Sequence, residues 1–147
     1  MRIAHILEAT TGGAARHVVD LSAQLIENGH AVSLIYSPLR ADSSFEAEIA
    51  SLAYEHLVRL PMRRAVGPWD ILAARSLRLV LNNLGPFDVI HGHSSKAGAL
   101  ARLAAPQGQA RIYTPHAFRT MDPTTGRLGS LIYGGAEALL EIGRAHV

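Results

Sequence analysis

The sequence predicts a doubly wound α/β domain, with five parallel strands in the order 3-2-1-4-5 and helices on both faces. Short apolar segments alternate with longer segments of helical periodicity from the first residues onward. Glycine or proline separates most of these segments. Strict alternation requires parallel strands joined by right-handed crossovers, and it puts the ligand crevice between the first and fourth strands. This is a Rossmann-like architecture.

The first half of the chain contains three predicted strands. Residues 3–7 are almost all apolar, as in a central strand that is buried on both faces. An amphipathic helix follows to residue 28, where Gly29 suits its C-terminal cap, and residues 31–36 form the second strand. Ser43 and Glu46 have the spacing of a capping box before a short helix, and residues 56–60 form the third strand.

The second half continues the same alternation. Pro68 suits the first position of a helix that runs to about residue 84. Residues 88–91 form the fourth strand, and Ser94 or Ser95 is the expected N-cap of the helix over residues 97–105. Residues 111–114 form the fifth strand, and a further helix begins near Ser130.

Composition excludes several classes of protein. A chain of 147 residues has room for one domain with a sizeable core. The net charge of +2 is too small to indicate nucleic-acid binding, and without cysteine there is no disulfide framework or thiolate metal site. No apolar run is long enough for a signal peptide or a membrane helix, so we expect a cytoplasmic protein.

Gly12 and Gly13 open a helix directly after the first strand. Glycines at this position let backbone amides approach a phosphate closely, although a plain tight turn also favours glycine. The segment lacks both the G-x-G-x-x-G dinucleotide fingerprint and the Gly-Lys-Ser/Thr of a Walker loop.

The histidines offer candidate site residues. His93 and His116 leave neighbouring strands at the ligand edge, where either could donate a hydrogen bond, act as a base or simply bond loop backbone. We expect His5 to be a core histidine with a partner. His91 and His93 are expected on opposite faces of their strand, and no carboxylate lies at ligand spacing, so we predict no metal site.

Basic residues follow the third and fourth strands. Lys96 is the only lysine, and a cation in the first turn of a helix opposes the macrodipole, so it either faces a ligand or is a solvated surface residue. Arg63 and Arg64, with Trp69 nearby, suit anionic head groups at a membrane surface, or else belong to a solvated loop.

Three motifs together resemble a known enzyme family. Residues 11–21 with 25–32 resemble the opening of family 4 glycosyltransferases of the GT-B fold, and residues 91–98 and 113–118 are similar to two later signatures of their N-terminal domain. The motifs are most similar to those of bacterial exopolysaccharide and capsule enzymes, and the resemblance covers residues 1–140.

The resemblance implies a retaining transfer of a sugar from a nucleotide-sugar donor to a glycan or lipid-linked acceptor, without a cofactor; peripheral membrane contact is predicted from the two arginines and Trp69. It assigns Gly12 and Gly13 to the loop near the donor diphosphate and puts His116 in the cleft, where we predict that His116 is the catalytic residue. The resemblance also puts His93 in the cleft, and from their positions at the ligand edge we predict further cleft or acceptor-binding residues, which are the following: Arg63, Arg64, Ser94 and Lys96.

The same family has a C-terminal domain that binds the donor, and its glutamate pair is absent here. We therefore expect this chain to be an inactive N-terminal part. Residues 141–147 resemble the translation of a sequencing-library adapter and are expected to be non-native. Two other functions stay open: a stand-alone nucleotide-binding module or dehydrogenase half, disfavoured by the missing fingerprint, and a flavodoxin-like regulatory domain, disfavoured by the lack of an acidic cluster.

Overall fold

The structure is a computed structural model that describes residues 1–116. Within this range five strands alternate with four helices. Their bounds are as follows: β1 Arg2–Leu7, α1 Gly12–Glu27, β2 Ala31–Tyr36, α2 Ser43–Ala50, β3 His56–Arg59, α3 Trp69–Leu84, β4 Val89–His93, α4 Ser94–Ala104 and β5 Ala110–Thr114. The predicted helix near Ser130 lies outside the described residues.

The strands form one parallel sheet in the order β3-β2-β1-β4-β5, which confirms the predicted fold. The register aligns the carboxyl ends of the central strands. Leu7 of β1 pairs with Tyr36 of β2 and with His93 of β4, and His93 in turn pairs with Thr114 of β5. The residues that follow these four strands therefore leave the sheet along one edge.

Two apolar layers cover the sheet. On one face Ile6 and Ile90 pack with Leu77 of α3 and Leu100 of α4. The layer on the other face joins the sheet to the first two helices, and it contains the following residues: Leu7, Ala14, Ala15, Val18, Val19, Leu34, Tyr36, Phe45 and Ile49. Because both faces are covered, the central strand is buried along almost its whole length, as its continuous apolar sequence predicts.

Two helix starts differ from the prediction. Asp42, not Ser43, caps α2, because its Oδ1 accepts a hydrogen bond from the Phe45 amide at 2.8 Å. The carboxyl group of Glu46 does not close a capping box, since its Oε2 accepts from Arg59 at 2.6 Å. Helix α3 begins at Trp69, one residue after the proline predicted as its first position.

The junction between β4 and α4 is tighter than predicted. The strand continues to His93 and the helix begins at the next residue, so His93 is the N-cap and neither Ser94 nor Ser95 caps the helix. Close contact explains the short junction: a Cβ atom on Gly92 would lie 2.7 Å from the Cα of Gly98. Ser94 makes the turn with φ of +77°, a left-handed conformation that is costly for a residue with a side chain.

Candidate functional site

Two of the predicted site residues meet at the carboxyl edge of the sheet. His93 ends β4, and its Nδ1 lies 3.3 Å from Nε2 of His116, which follows β5. Gly12 starts α1 at the same edge, since β1 pairs with β4 through Leu7 and His93. The predicted placement of Gly12, His93 and His116 on one edge is therefore confirmed.

Three more histidines join this pair. Nδ1 of His5 lies 2.9 Å from Nε2 of His93, so a hydrogen-bonded chain runs from the core through His93 to His116. The ring of His17, on α1, lies 4.9 Å from that of His116 and 5.9 Å from that of His93. His91 completes this histidine cluster, the group formed by residues 5, 17, 91, 93 and 116.

The predicted arrangement of His91 and His93 on opposite faces is wrong. Residues i and i+2 of a strand point to the same face, and the two ring centroids lie only 3.9 Å apart. His5 pairs directly with His91 across β1 and β4, which puts a third imidazole beside them. The argument from opposite faces against a metal site therefore fails. The predicted partner for His5 is confirmed.

Burial keeps the inner part of the cluster neutral. Burial, helped by the neighbouring His91 and His17, lowers the pKa of His5 to about 3. Burial and then His17 and His116 lower the pKa of His91 to about 4. Burial and the surrounding histidines push the pKa of His93 further below its usual range. The His116 pKa is also lowered, first by burial and then by His17.

A neutral imidazole has one donor and one acceptor nitrogen, so each bond in this chain constrains the next. If His5 donates from Nδ1, His93 accepts at Nε2 and donates from Nδ1. His116 then accepts at Nε2 and carries its proton on Nδ1. If the donor and acceptor roles are reversed along the chain, Nε2 of His116 donates and its Nδ1 is an acceptor. Both senses leave one defined nitrogen of His116 for other partners.

The start of α1 provides an accessible set of backbone amides. Gly12 has φ of +72°, and a Cβ atom at Gly12 or Gly13 would meet nothing within 4 Å. The first turn of the helix has no acidic residue, and Thr11 makes no side-chain cap bond. Because the first amides of a helix have no internal partners, this open helix start can bind an anion.

The order of these features along the chain has a counterpart among known proteins. The sequence pattern of Glycosyltransferase Family 4 matches residues 11–140. The chain belongs to glycosyltransferase family 4. Among curated protein sequences, none is similar enough to count as a match.

Solved structures place this family 4 chain in the GT-B fold. MurG of Acinetobacter baumannii superimposes with a TM-score of 0.60 at 14% identity, over 92% of this chain and 39% of that one. A Listeria monocytogenes protein named as a UDP-N-acetylglucosamine 2-epimerase gives 0.58 at 12% identity, over 99% and 43%. At such identities the likeness concerns the fold, and the family 4 chain spans about two fifths of either protein.

Lys96 of the family 4 chain lies apart from the histidine cluster. Its Nζ donates to both carboxylate oxygens of Asp70 at 2.7 Å and to the Ala65 carbonyl at 2.6 Å. With only 10% of the side chain exposed, it is not the solvated surface lysine that was one of the two sequence interpretations. The Lys96 ammonium group therefore links α4 to the start of α3. The contact of Lys96 with a ligand stays a prediction.

Arg63 and Arg64 lie in the arginine loop, residues 61–67 between β3 and α3. The guanidinium of Arg63 lies 4.9 Å from the centroid of the Trp69 ring, and Nε1 of Trp69 donates to the Ala65 carbonyl at 3.0 Å. Both arginines are exposed. This loop follows the carboxyl end of β3, so it leaves the sheet at the same edge as the cluster.

Ser94 and Glu8 add polar groups at this edge that have few partners. Ser94 Oγ is buried without a hydrogen-bond partner among the described residues. Glu8 follows β1, is 4% exposed, and has Arg40 at 3.6 Å as its ion-pair partner. Sequence reasoning missed Glu8, His17 and Arg40. An acid directly after a central strand was the available signal for Glu8, whereas the other two require knowledge of the fold.

In the part of the chain that the structure describes, no helix is long and apolar enough to cross a membrane. The arginine loop and the start of α3 carry exposed apolar side chains, which are those of Val66, Ile71 and Leu72.

Proposed function

We propose that this chain is the N-terminal, acceptor-side domain of a retaining glycosyltransferase. The intact enzyme transfers a sugar from a nucleotide-sugar donor to a glycan or lipid-linked acceptor, in the cytoplasmic synthesis of a bacterial exopolysaccharide or capsule. Family membership supports the class of reaction. The residues of this chain define what its wall of the cleft contributes, and a second domain, outside this chain, completes the donor site.

The observation that carries the proposal is the placement of His116 at the ligand edge. His93 holds one ring nitrogen of His116 at 3.3 Å, and His5 holds His93 from the core. A preorganised imidazole beside an open helix start suits a group that must meet a sugar or a departing diphosphate without rearrangement. His116 is therefore assigned as the catalytic residue of this domain, and His93 as the residue that positions it.

Gly12 and Gly13 are assigned to the donor diphosphate. Their amides begin a helix of 16 residues, and a Cβ atom at either position would meet nothing within 4 Å, so a phosphate can approach this backbone closely. Among the described residues, each group of three side chains close enough to share an ion consists of histidines alone. Mg²⁺ in diphosphate sites favours carboxylate oxygens. We therefore propose that backbone amides, not a carboxylate-held Mg²⁺, neutralise the diphosphate on this wall.

Loss of transfer in the isolated domain tests the two-wall proposal. Residues 1–140 alone should transfer no sugar from any of a panel of nucleotide sugars, because one wall cannot orient the donor. A longer protein that continues into the native downstream coding sequence should be active and should give a product with the donor's anomeric configuration. Transfer by residues 1–140 would show that the second wall is not needed, and inversion would exclude the retaining mechanism.

The acceptor side is proposed to contact an anionic membrane surface through the arginine loop. Two arginines, the ring of Trp69 and exposed apolar residues beside them combine charge attraction with shallow insertion. Each basic residue near an anionic surface contributes about 1 kcal/mol. Ser94 and Lys96, in the first turn of α4, are assigned to the acceptor side because α4 begins at the same edge of the sheet.

Vesicle sedimentation tests this contact. The double variant Arg63→Ala/Arg64→Ala should bind vesicles containing anionic lipid at least about tenfold more weakly, since two basic residues are lost. The matched control Arg75→Ala/Arg78→Ala removes the same charge from the exposed face of α3. Equal loss in both variants would indicate general charge attraction, and no loss in either would exclude the loop as the contact.

A further inference from the structure

Three imidazoles from different elements converge at the outer side of the histidine cluster. His17 comes from α1, His93 from the end of β4, and His116 from the segment after β5. One ring nitrogen of each lies within 4.8 Å of one ring nitrogen of the other two. The proposed function gives a role to His116 and to His93 but none to His17, which is exposed on its helix.

We propose that His17, His93 and His116 form a binding site for a first-row divalent transition metal, with Zn²⁺ as the reference ion. In tetrahedral coordination, nitrogens that are about 2.0–2.1 Å from Zn²⁺ lie about 3.3–3.4 Å from one another. Nδ1 of His93 and Nε2 of His116 already have this spacing, at 3.3 Å, so the bound ion would replace the hydrogen bond between them. A small rotation of the exposed His17 side chain supplies the third ligand.

The opposite nitrogen of His93 supports this assignment. A histidine that binds a metal usually donates its other ring N–H to a second group, which holds the ring in orientation. Nε2 of His93 lies 2.9 Å from Nδ1 of His5, which can accept that hydrogen bond. His5 is fully buried in the sheet and cannot turn away easily. The site therefore has three candidate ligands, and a hydrogen bond to His5 holds the ring of His93 in orientation.

The outer set of histidines is favoured over the inner set, His5, His91 and His93, although the inner set is equally close together. All three inner residues are buried, so an ion has no direct path from solvent. Nε2 of His91 is also engaged by Oγ1 of Thr114 at 2.8 Å. In the outer set His17 is exposed and His116 is half-buried, which leaves the fourth coordination position open to water or to a ligand oxygen.

Metal titration of the full chain tests the site, and it needs neither donor nor acceptor. After treatment with a chelator, Co²⁺ should bind with one ion per chain and give the intense visible absorption of tetrahedral cobalt, and Zn²⁺ should displace it. Loss of a direct ligand should weaken binding more than about 100-fold, which is the upper range for loss of a supporting residue. We expect this loss in His17→Ala and in His116→Ala.

The control is His30→Ala, which removes the histidine directly before β2, at the amino end of the sheet. Nδ1 of His30 lies 3.3 Å from the amino-terminal nitrogen of Met1. This variant should bind Co²⁺ like the parent protein. Alanine at the exposed helical position 17 leaves the core unchanged, so a folding defect does not explain a loss there. Unaltered binding in His17→Ala, or equal weakening in His30→Ala, would overturn the site. Neither result depends on whether the intact enzyme transfers a sugar.

Discussion

The two ends of the sheet are built in opposite ways. At the amino end Arg2 is surrounded by acceptors: its guanidinium bonds both carboxylate oxygens of Glu55 and the carbonyls of Leu84 and Pro86. Its backbone amide donates to Asp88 at 2.7 Å. At the carboxyl end neutral histidines lie against each other, and some buried polar atoms have no hydrogen-bond partner among residues 1–116, namely Oγ1 of Thr10, Oγ of Ser94 and Oε1 of Glu8, which has only the ion pair with Arg40 at 3.6 Å.

This contrast separates stability from function. Buried polar groups in proteins are nearly always hydrogen-bonded, so the buried hydroxyls of Thr10 and Ser94, which have no hydrogen-bond partner among residues 1–116, are candidates for contact with a ligand. The left-handed Ser94 lies at the same edge, and residues held in such conformations cluster at functional sites. The bonds of Arg2 join strands and loops at the amino end, whereas the carboxyl end holds the histidine cluster and buried hydroxyls without a hydrogen-bond partner among residues 1–116. The following variants test that division.

The largest effect is expected at His116. In the intact enzyme, His116→Ala should lower kcat by about 100-fold or more, because a preorganised donor to developing charge acts mainly in the transition state. The measurement is steady-state transfer, with urea unfolding to show that the variant is folded. The matched control His30→Ala makes the same substitution at the amino end and should leave kcat unchanged. Parent-like turnover in a folded His116→Ala enzyme would contradict the catalytic assignment.

Acid should destabilise the protein through the buried histidines of the sheet. Burial lowers the pKa of His5 to about 3 and that of His91 to about 4, from 6.5 in the unfolded chain. The unfolded state thus binds more protons between these values, so stability is full above pH 6.5 and falls as the pH decreases toward 4. Each excess proton makes the loss about 1.4 kcal/mol per pH unit.

Urea unfolding at pH 7 and at pH 5 measures this dependence, because the two pH values lie above and below the pKa of a histidine in the unfolded chain, about 6.5. His91→Asn removes one neutral buried histidine and keeps a group that can bond Thr114, so its pH dependence should be shallower than that of the parent protein. His30→Ala serves as the control and should keep the parent's slope. A steeper or unchanged slope in His91→Asn would show that the buried histidines do not govern acid sensitivity.

At the amino end the expected effect is on stability alone. Arg2→Ala removes charge-assisted bonds to Glu55 and bonds to two loop carbonyls, and it should lower the free energy of unfolding by about 1–2 kcal/mol, since a third of the side chain is exposed. Turnover of the intact enzyme should not change. Arg16→Ala, which breaks the solvent-exposed ion pairs of Arg16 with Asp20 and with Glu48 of α2, is the control and should change stability less than Arg2→Ala does.

Much of the fold could be predicted because its signals are local. The second strand, Ala31–Tyr36, was predicted to the residue, and alternation alone gave the strand order. The face of His91 and His93 was also predictable, since residues two apart share a face, and the error there came from misapplying that rule. Asp42 could have been identified as the cap of α2, because Asp is as good an N-cap as Ser.

Other parts of the site could not be predicted because they depend on contacts between distant segments. The bond between His5 and His93 joins residues 88 positions apart and requires the register of β1 against β4. The Asp70 partner of Lys96 lies on another helix, so sequence reasoning weighed only solvent and ligand as its neighbours. A chain of imidazoles is thus a property of the assembled sheet, although each histidine is visible in the sequence.

The smallest predicted effect, at Ser94, has the opposite sign from the others. Ser94 has φ of +77° and a buried hydroxyl without a partner among residues 1–116, and both features cost stability. Ser94→Gly removes both, so it should raise the free energy of unfolding by about 1 kcal/mol. Ser95→Gly, one residue further into α4, should instead lower it by about 0.5–1 kcal/mol, because glycine is unfavourable within a helix. Urea unfolding of the two variants distinguishes them. If Ser94→Gly destabilises the protein as much as Ser95→Gly does, the hydroxyl is holding the edge together, and the proposed division between a stabilising amino end and a ligand-ready carboxyl end fails at this residue.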